Sequence, residues 1–311
     1  HNMLNNAYSL DGVLSYDFFG AEKNISSCGY NEATNHLLIS SYFPTNRISK
    51  RNGSDNTDAG YLNLSHGYCE NIFITPQPNS KIFCSTAMNS LSDASIEIYN
   101  ANDYSYVTTL DGFGTGYEGH DFKTYYCYNT IDNDVYFILY PRSNNITYSK
   151  IVRIDLDNGC TMDPPYILDA IPEKIIYCES CNTICIKYLS EDYFTIFNCN
   201  NLSSPLNDYF LYHTIKDIEY SSYFNRLYVL AIGVNHLNAV YSGSCFGFEE
   251  PIPRWEAPAY CNAIKYNNLN QRLYVYSPFE WDVDFESHLS ILDHNEEEID
   301  DIFLHNSQCV R

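Results

Sequence analysis

A short apolar run, a polar turn and a second apolar run recur six times along this chain. They read Cys28-Gly-Tyr30 ahead of Asn35-His-Leu37-Leu-Ile39, Phe73-Ile-Thr75 ahead of Ser80-Lys-Ile82-Phe-Cys84, and Tyr126-Cys-Tyr128 ahead of Asn133-Asp-Val135-Tyr-Phe137. The next three are Ile175-Ile-Tyr177 ahead of Asn182-Thr-Ile184-Cys-Ile186, Ile218-Glu-Tyr220 ahead of Asn225-Arg-Leu227-Tyr-Val229, and Ile264-Lys-Tyr266 ahead of Gln271-Arg-Leu273-Tyr-Val275. In every unit the step from the first anchor (Tyr, or Thr75) to the second (Leu, Ile or Val) is seven residues. Each unit therefore predicts a β-hairpin. The second strands, such as Leu227 to Ile232 and Val135 to Tyr140, are apolar without alternation, so both their faces must be covered.

Successive first anchors lie 45, 53, 49, 43 and 46 residues apart, which is the length of four short strands and three connections. Further strand-like segments follow the hairpins at 94–99, Tyr106–Leu110, 148–156, Ser287–Leu292 and 299–304, with a tight turn at Asp157-Asn158-Gly159. The pattern predicts an all-β chain: a single β-propeller of six four-stranded blades, with seven blades as the alternative. A sandwich or a pair of barrels would not favour so regular a period. The expected boundaries are 1–27 as an N-terminal strand segment, 28–305 as the propeller and 306–311 as a tail. Residues 7–19 supply one strand more than six blades need. That strand either closes the ring while one of the two last segments is a loop, begins a seventh blade, or pairs with another copy of the chain.

At Asn225-Arg-Leu-Tyr-Val229 and Gln271-Arg-Leu-Tyr-Val275 the chain resembles the YVTN-type and lactonase-like β-propeller repeats. The resemblance implies a fold and no particular activity, because propellers host enzymes, binders and scaffolds alike. The chain departs from those repeats in its cysteines and in a long polar connection over residues 43–60.

Composition narrows the partners. With 17 basic and 39 acidic side chains the formal charge is −22. Phosphate backbones and anionic membranes would repel such a chain, so nucleic-acid binding is not expected. The longest apolar run falls far short of the ~20 residues of a membrane span, so membrane insertion is not expected either. Twelve cysteines (Cys28, Cys69, Cys84, Cys127, Cys160, Cys178, Cys181, Cys185, Cys199, Cys245, Cys261 and Cys309) are an even number spread along the chain, and suit six disulfides in an oxidising compartment. Cys178, Cys181 and Cys185 are spaced closely enough for zinc but lack a matching second pair. The first residue is His1, as in a mature secreted chain after removal of a leader. Glycosylation sequons stand at Asn24, Asn52, Asn63, Asn145 and Asn201, about the five that 34 Asn and 44 Ser plus Thr produce by chance.

No H-E-x-x-H, G-x-S-x-G or P-loop motif occurs among the residues, and no nucleophile can be assigned. His120 and Asp121 could line a channel mouth, although a structural His beside a turn explains them as well. Acidic groups at Asp282, Asp284 and Glu286, and at Glu296, Glu297, Glu298, Asp300 and Asp301, offer oxygen ligands for calcium without the spacing of a calcium loop. Most of the 30 Tyr are expected between blades, and the remainder, with Trp255 and Trp281, could form a sugar- or protein-binding face. The expectation is a secreted or cell-surface, N-glycosylated, non-catalytic propeller that binds a protein partner or assembles with itself. No cofactor is expected; calcium is the alternative. The alternatives are a lactonase- or hydrolase-like enzyme with a metal in the axial channel, and a carbohydrate binder.

Overall fold

The computed structural model describes residues 25–41, 46–65, 67–78, 80–87, 95–111, 113, 117–119, 126–141, 148–189, 191–211, 213–232, 238–244, 255–257, 261–277, 287–293 and 297–304. Each repeat unit is an antiparallel sheet whose strands pair in chain order. The first sheet is Ile25–Asn31, His36–Ser41, Arg47–Asn52 and Asp58–Asn63; the second is Tyr68–Ile74, Lys81–Ala87, Ser95–Asn100 and Tyr106–Leu110. The third runs Tyr126–Asn129, Asp134–Pro141, Ser149–Asp155 and Thr161–Met162, with Tyr117–Gly119 on its second strand and Tyr166–Leu168 on its third. The fourth is Pro172–Cys178, Thr183–Tyr188, Tyr193–Asn198 and Asn201–Phe210. The fifth is Thr214–Ser221, Arg226–Ile232, Asn238–Gly243 and Trp255–Ala257, and the sixth Ala263–Asn267, Arg272–Ser277, Ser287–Leu292 and Glu298–Leu304.

Two expectations change. Residues 46–63 are not a long loop but the third and fourth strands of the first sheet. Their polar sequence reflects partial exposure: the fourth strand has three exposed residues of six with Leu62 its buried one, and Arg47, Lys50, Arg51 and Asn52 of the third are half-buried. The sixth sheet holds both Ser287–Leu292 and Glu298–Leu304 as strands, so neither is a loop, and its four strands are complete without residues 7–19. Residues 7–19 and the tail 306–311 lie outside the described residues.

The hairpin that opens each unit has a specific cause. Asn35, Asn133, Asn182, Asn225 and Gln271 stand at φ 56°, 55°, 47°, 49° and 56°, in the left-handed region that Asn tolerates better than other side-chain-bearing residues. Four anchor tyrosines lock the turn from behind. The hydroxyls of Tyr30, Tyr128, Tyr177 and Tyr220 donate to the Oδ1 atoms of Asn35, Asn133, Asn182 and Asn225 at 2.6, 2.7, 3.3 and 3.0 Å. In the second unit Thr75 replaces Tyr, and its Oγ1 accepts the Lys81 N–H at 2.8 Å. Gly53 is required by a close approach: its N–H meets the Asn35 carbonyl at 2.7 Å, and a Cβ there would stand 2.5 Å from Asn35 Oδ1.

The chain divides into two compact units, residues 1–123 with 137–167 and residues 124–136 with 168–311. In the first, Leu38, Ile48 and Leu62 of the first sheet pack against Cys69, Ile72, Ile82, Cys84 and Tyr99 of the second. In the second unit the strand Arg226–Ile232 shows why apolar residues run without alternation. Leu227, Val229 and Ala231 pack with Phe194 and Ile196 of the fourth sheet, while Tyr228 and Leu230 pack with Ile264, Leu273 and Val275 of the sixth. All five are 0% exposed.

The cysteines were expected in six disulfides. None of the ten described ones is in a disulfide: Cys28, Cys69, Cys84, Cys127, Cys160, Cys178, Cys181, Cys185, Cys199 and Cys261; Cys245 and Cys309 lie outside the described residues. Eight of the ten are buried, and they serve as small apolar core residues, Cys69 and Cys84 among Leu38 and Ile82, Cys178 and Cys185 among Phe194 and Ile196. Burial pushes the thiols of Cys84 and Cys127 well above the ordinary range.

Candidate interaction surface

Charged side chains on the first strands of the fourth, fifth and sixth sheets are bound to one another. Lys174 Nζ meets Asp217 Oδ1 at 2.7 Å and Glu219 Oε2 at 3.5 Å, and Lys265 Nζ meets Glu219 Oε1 at 2.6 Å. Asp217 Oδ2 also accepts the Ile264 N–H at 2.9 Å. This chain of alternating charge ties three sheets together, and its carboxylates are committed to lysines and backbone. A second pair, Lys187 with Glu173, buries the lysine almost completely.

At the far end of the fourth sheet the surface changes character. Ile171, Leu189 and Phe210, at three strand ends, are 43%, 48% and 54% exposed. The first strand begins and the second and fourth end there: Pro172 pairs with Tyr188 and Tyr193 with Phe210, which puts Phe210 on the face of Tyr188 and Tyr193, and Ile171 and Leu189, one residue further, on the other. The Leu189 N–H donates to the Ile171 carbonyl at 2.7 Å. The Tyr193 ring sits between those of Tyr188 and Phe210, with centroids at 5.0 and 5.2 Å. Backbone bonds from Leu211 N–H to the Asp192 carbonyl (2.8 Å) and from Ile215 N–H to the Glu191 carbonyl (3.0 Å) fasten the turn between the second and third strands to the exit of the sheet. The platform is thus preformed.

Carboxylates surround it. Burial raises the Tyr193 hydroxyl above the usual tyrosine range, and the charges of Glu191, Asp208, Asp169 and Asp192 raise it further. Asp208 accepts from Thr195 Oγ1 at 2.6 Å, and both Asp169 and Asp208 are exposed. Over the three segments 167–173, 187–194 and 206–213 there are five acidic residues against one lysine, Lys187, and that lysine is the buried partner of Glu173.

The residues singled out from sequence fall elsewhere. Asn63 and Asn201 are exposed; Asn52 is half-buried and its Nδ2 donates to Thr57 Oγ1 at 2.6 Å; Asn24 and Asn145 lie outside the described residues. So do His120, Asp121, Trp281, Asp282, Asp284, Glu286 and Glu296. Glu297, Glu298 and Asp300 are exposed along the edge of the sixth sheet. Cys178 and Cys185 lie in the core with Cys181 packed against it, and among the described residues no group of three His, Cys, Asp or Glu is placed to hold a metal ion. Asp155 forms a tight turn, its Oδ1 accepting from the N–H groups of Asp157 and Asn158 at 3.0 and 3.1 Å, with Gly159 at φ 75°.

No family model matches the chain, and no curated protein matches it in sequence. Solved structures do. A crystal structure of a eukaryotic initiation factor is similar over 89% of this chain at 12% identity and a TM-score of 0.61. The Dos1 propeller is similar over 81% of this chain at 9% identity and a TM-score of 0.60. The fold is a β-propeller. At these identities the likeness concerns the fold alone, and the chain spans 65% of the length of each of those two structures. Five of the six sheets have four strands and the third has six, in line with the recurring spacing of the sequence.

Proposed function

We propose that this propeller is a non-catalytic protein-interaction scaffold acting outside the cell or at its surface, and that it recruits a partner through the end of the fourth sheet. One observation carries the reading: Phe210, 54% exposed, ends the ring row Tyr188–Tyr193–Phe210 on a backbone that is already fixed. Aromatic and aliphatic anchors on a rigid support are what the centres of protein interfaces use. The ion pairs among Lys174, Asp217, Glu219 and Lys265 favour a structural role for the buried charges, since each carboxylate is already held. Residence outside the cell rests on the exposed sequons at Asn63 and Asn201 and on the acidic composition; the free cysteines lend it no support. Self-assembly is part of the same proposal, with the partner then a second copy.

The test is a selection of phage-displayed short random peptides on the folded chain, counter-screened with Phe210→Ser. Peptides whose binding is lost in that variant are the expected result. No binders, or binders indifferent to Phe210, would overturn the reading. Expression in a secretory host followed by enzymatic glycan release checks location separately, with deamidation expected at Asn63 and Asn201.

A further inference from the structure

Away from the fourth sheet, we infer that a cleft between the first and second sheets binds an alkylammonium ion, the group carried by a lysine side chain or by a free aliphatic amine. The cleft measures about 220 Å³ and is lined by Tyr30 and Glu32 of the first sheet and its turn and by Ile74, Pro76 and Gln77 of the second. Its place follows from the packing of the two first strands. A Cβ on Gly29 would stand 3.2 Å from Ile72 Cγ2 and from Ile74 Cδ1, so the strands touch there, and the cleft lies beside the next residue, Tyr30.

Both sides are fixed before a ligand arrives. The Tyr30 hydroxyl is held by Asn35 at 2.6 Å, and a Cβ on Gly53 would stand 3.1 Å from Tyr30 Cε2, so the ring is pinned at its tip and along one edge. Asn31, 0% exposed, donates from Nδ2 to the Ala101 carbonyl at 2.7 Å and anchors the turn that carries Glu32. On the second sheet the Thr75 N–H meets the Lys81 carbonyl at 3.0 Å and the Lys81 N–H meets Thr75 Oγ1 at 2.8 Å, which closes the turn through Pro76 and Gln77. A preformed site loses little to ordering when it binds.

The lining selects the ligand. Tyr30 and Ile74 are half-buried, and with Pro76 they offer an apolar surface for a chain of methylenes. Glu32 and Gln77 are exposed, and no hydrogen bond or ion pair holds either side chain among the described residues. Glu32 supplies a negative charge and Gln77 an amide oxygen, acceptors for two of the three ammonium protons, and the Tyr30 ring favours a cation over its face. The neighbouring basic groups are engaged elsewhere. Ile74 pairs with Ile82, so Lys81, one residue earlier, points from the opposite face of the second sheet, where its Nζ is bound to Asn100 Oδ1 at 2.8 Å. His36 Nδ1 is taken up by the Tyr104 hydroxyl at 2.7 Å. An anionic ligand is repelled by Glu32, and a neutral one forgoes its charge.

Saturation-transfer difference NMR on the folded chain tests this with 1-aminobutane, 1-butanol and butyrate, which share a stem and differ in head group. The amine should bind saturably with a Kd on the order of 1 mM, the scale of one small group, and the alcohol and the acid about tenfold more weakly or worse. Glu32→Gln, at an exposed position, should weaken the amine several-fold. Glu297→Gln, exposed beside the last strand of the sixth sheet, removes the same net charge and should leave binding unchanged. Blocked lysine, Nα-acetyl-lysine N-methylamide, separates the sources: binding tighter than the free amine assigns a protein side chain, and weaker binding assigns a small molecule. Equal affinity for the three head groups, equal weakening in Glu297→Gln and Glu32→Gln, or no saturable amine binding well above the expected Kd would overturn the inference. The Phe210 reading would stand in each of those cases, since the two sites share no residue.

Discussion

The Tyr128 hydroxyl donates a 2.7 Å hydrogen bond to Oδ1 of Asn133, five residues on, and Asn133 holds its backbone at φ 55°. The side chain that tolerates the left-handed turn is thus also the acceptor that pins the turn to the preceding strand. The same pair recurs at Tyr30 with Asn35, Tyr177 with Asn182 and Tyr220 with Asn225. Substitutions separate the two contributions. Asn133→Gly keeps the backbone geometry and loses the hydrogen bond, costing about 1 kcal/mol net. Asn133→Ala loses the bond but keeps a Cβ in the left-handed region without the local hydrogen bonding of Asn, and should cost about 1–2 kcal/mol more than the Gly variant. Urea unfolding should therefore rank Asn133→Ala below Asn133→Gly. Equal midpoints would mean that backbone strain is not what selects Asn here.

The repeat was legible because inner strands bury both faces, which forces unbroken apolar runs such as Leu227 to Ala231 and leaves an unmistakable period. The Tyr and Asn positions were visible as recurring letters, although their hydrogen bond was not. Outer strands were harder to read: Asp58–Asn63 has three exposed residues, and Arg47–Asn52 buries Ile48 and Ser49 but leaves Arg47, Lys50, Arg51 and Asn52 half-buried, so both carry a loop-like sequence. The candidate surface left no periodic trace, since Tyr188, Tyr193 and Phe210 come from three strands that only sheet pairing aligns on one face. A usable signal was present in Leu189 and Phe210 themselves, large apolar residues set among Glu191, Asp192 and Asp208 where turns should be polar. The cysteines misled because an even count is compatible with disulfides, whereas a thiol packed like a small aliphatic group needs no partner.

Two-sided burial of the fifth sheet makes an unusual demand on one strand. Leu227 points to the fourth sheet and Leu230 to the sixth, and both are 0% exposed. Leu227→Ala and Leu230→Ala should each cost about 2–5 kcal/mol by transfer and cavity terms together. In a strand with one solvated face, one of the two would be nearly silent. Denaturant midpoints for both variants decide it.

Lys174 and Lys265 both serve Glu219, but in different surroundings. The Lys174 side chain is 22% exposed and also holds Asp217, whereas Lys265 is 74% exposed. Lys174→Met leaves two neighbouring carboxylates without their shared cation and should cost about 1–3 kcal/mol. Lys265→Met breaks a pair open to water and should cost less than about 1 kcal/mol. The reverse order in thermal unfolding would show that the charge chain is not what joins these first strands.

The buried thiols tie stability to alkaline pH with a definite sign. Cys84 is raised by burial first, then by its hydrogen bond and proximity to Cys69 and by Glu97; Cys127 is raised by burial, then by Cys199 and Cys185. A group that folding raises keeps its proton in the native state after the unfolded chain has released it. Its contribution is therefore complete below the unfolded thiol value of about 8.5 and declines as pH climbs from there toward the folded value. The urea midpoint of the wild-type chain should fall between about pH 8.5 and 10, and the slope should be shallower in Cys84→Ala, whatever that variant's absolute stability. Iodoacetamide at pH 8 should leave Cys84 and Cys127 unmodified in the folded protein. In guanidinium without any reductant it should label both, because they are free. Labelling that appears only after reduction would mean that these thiols pair in the protein as made, and that the pH slope has another origin.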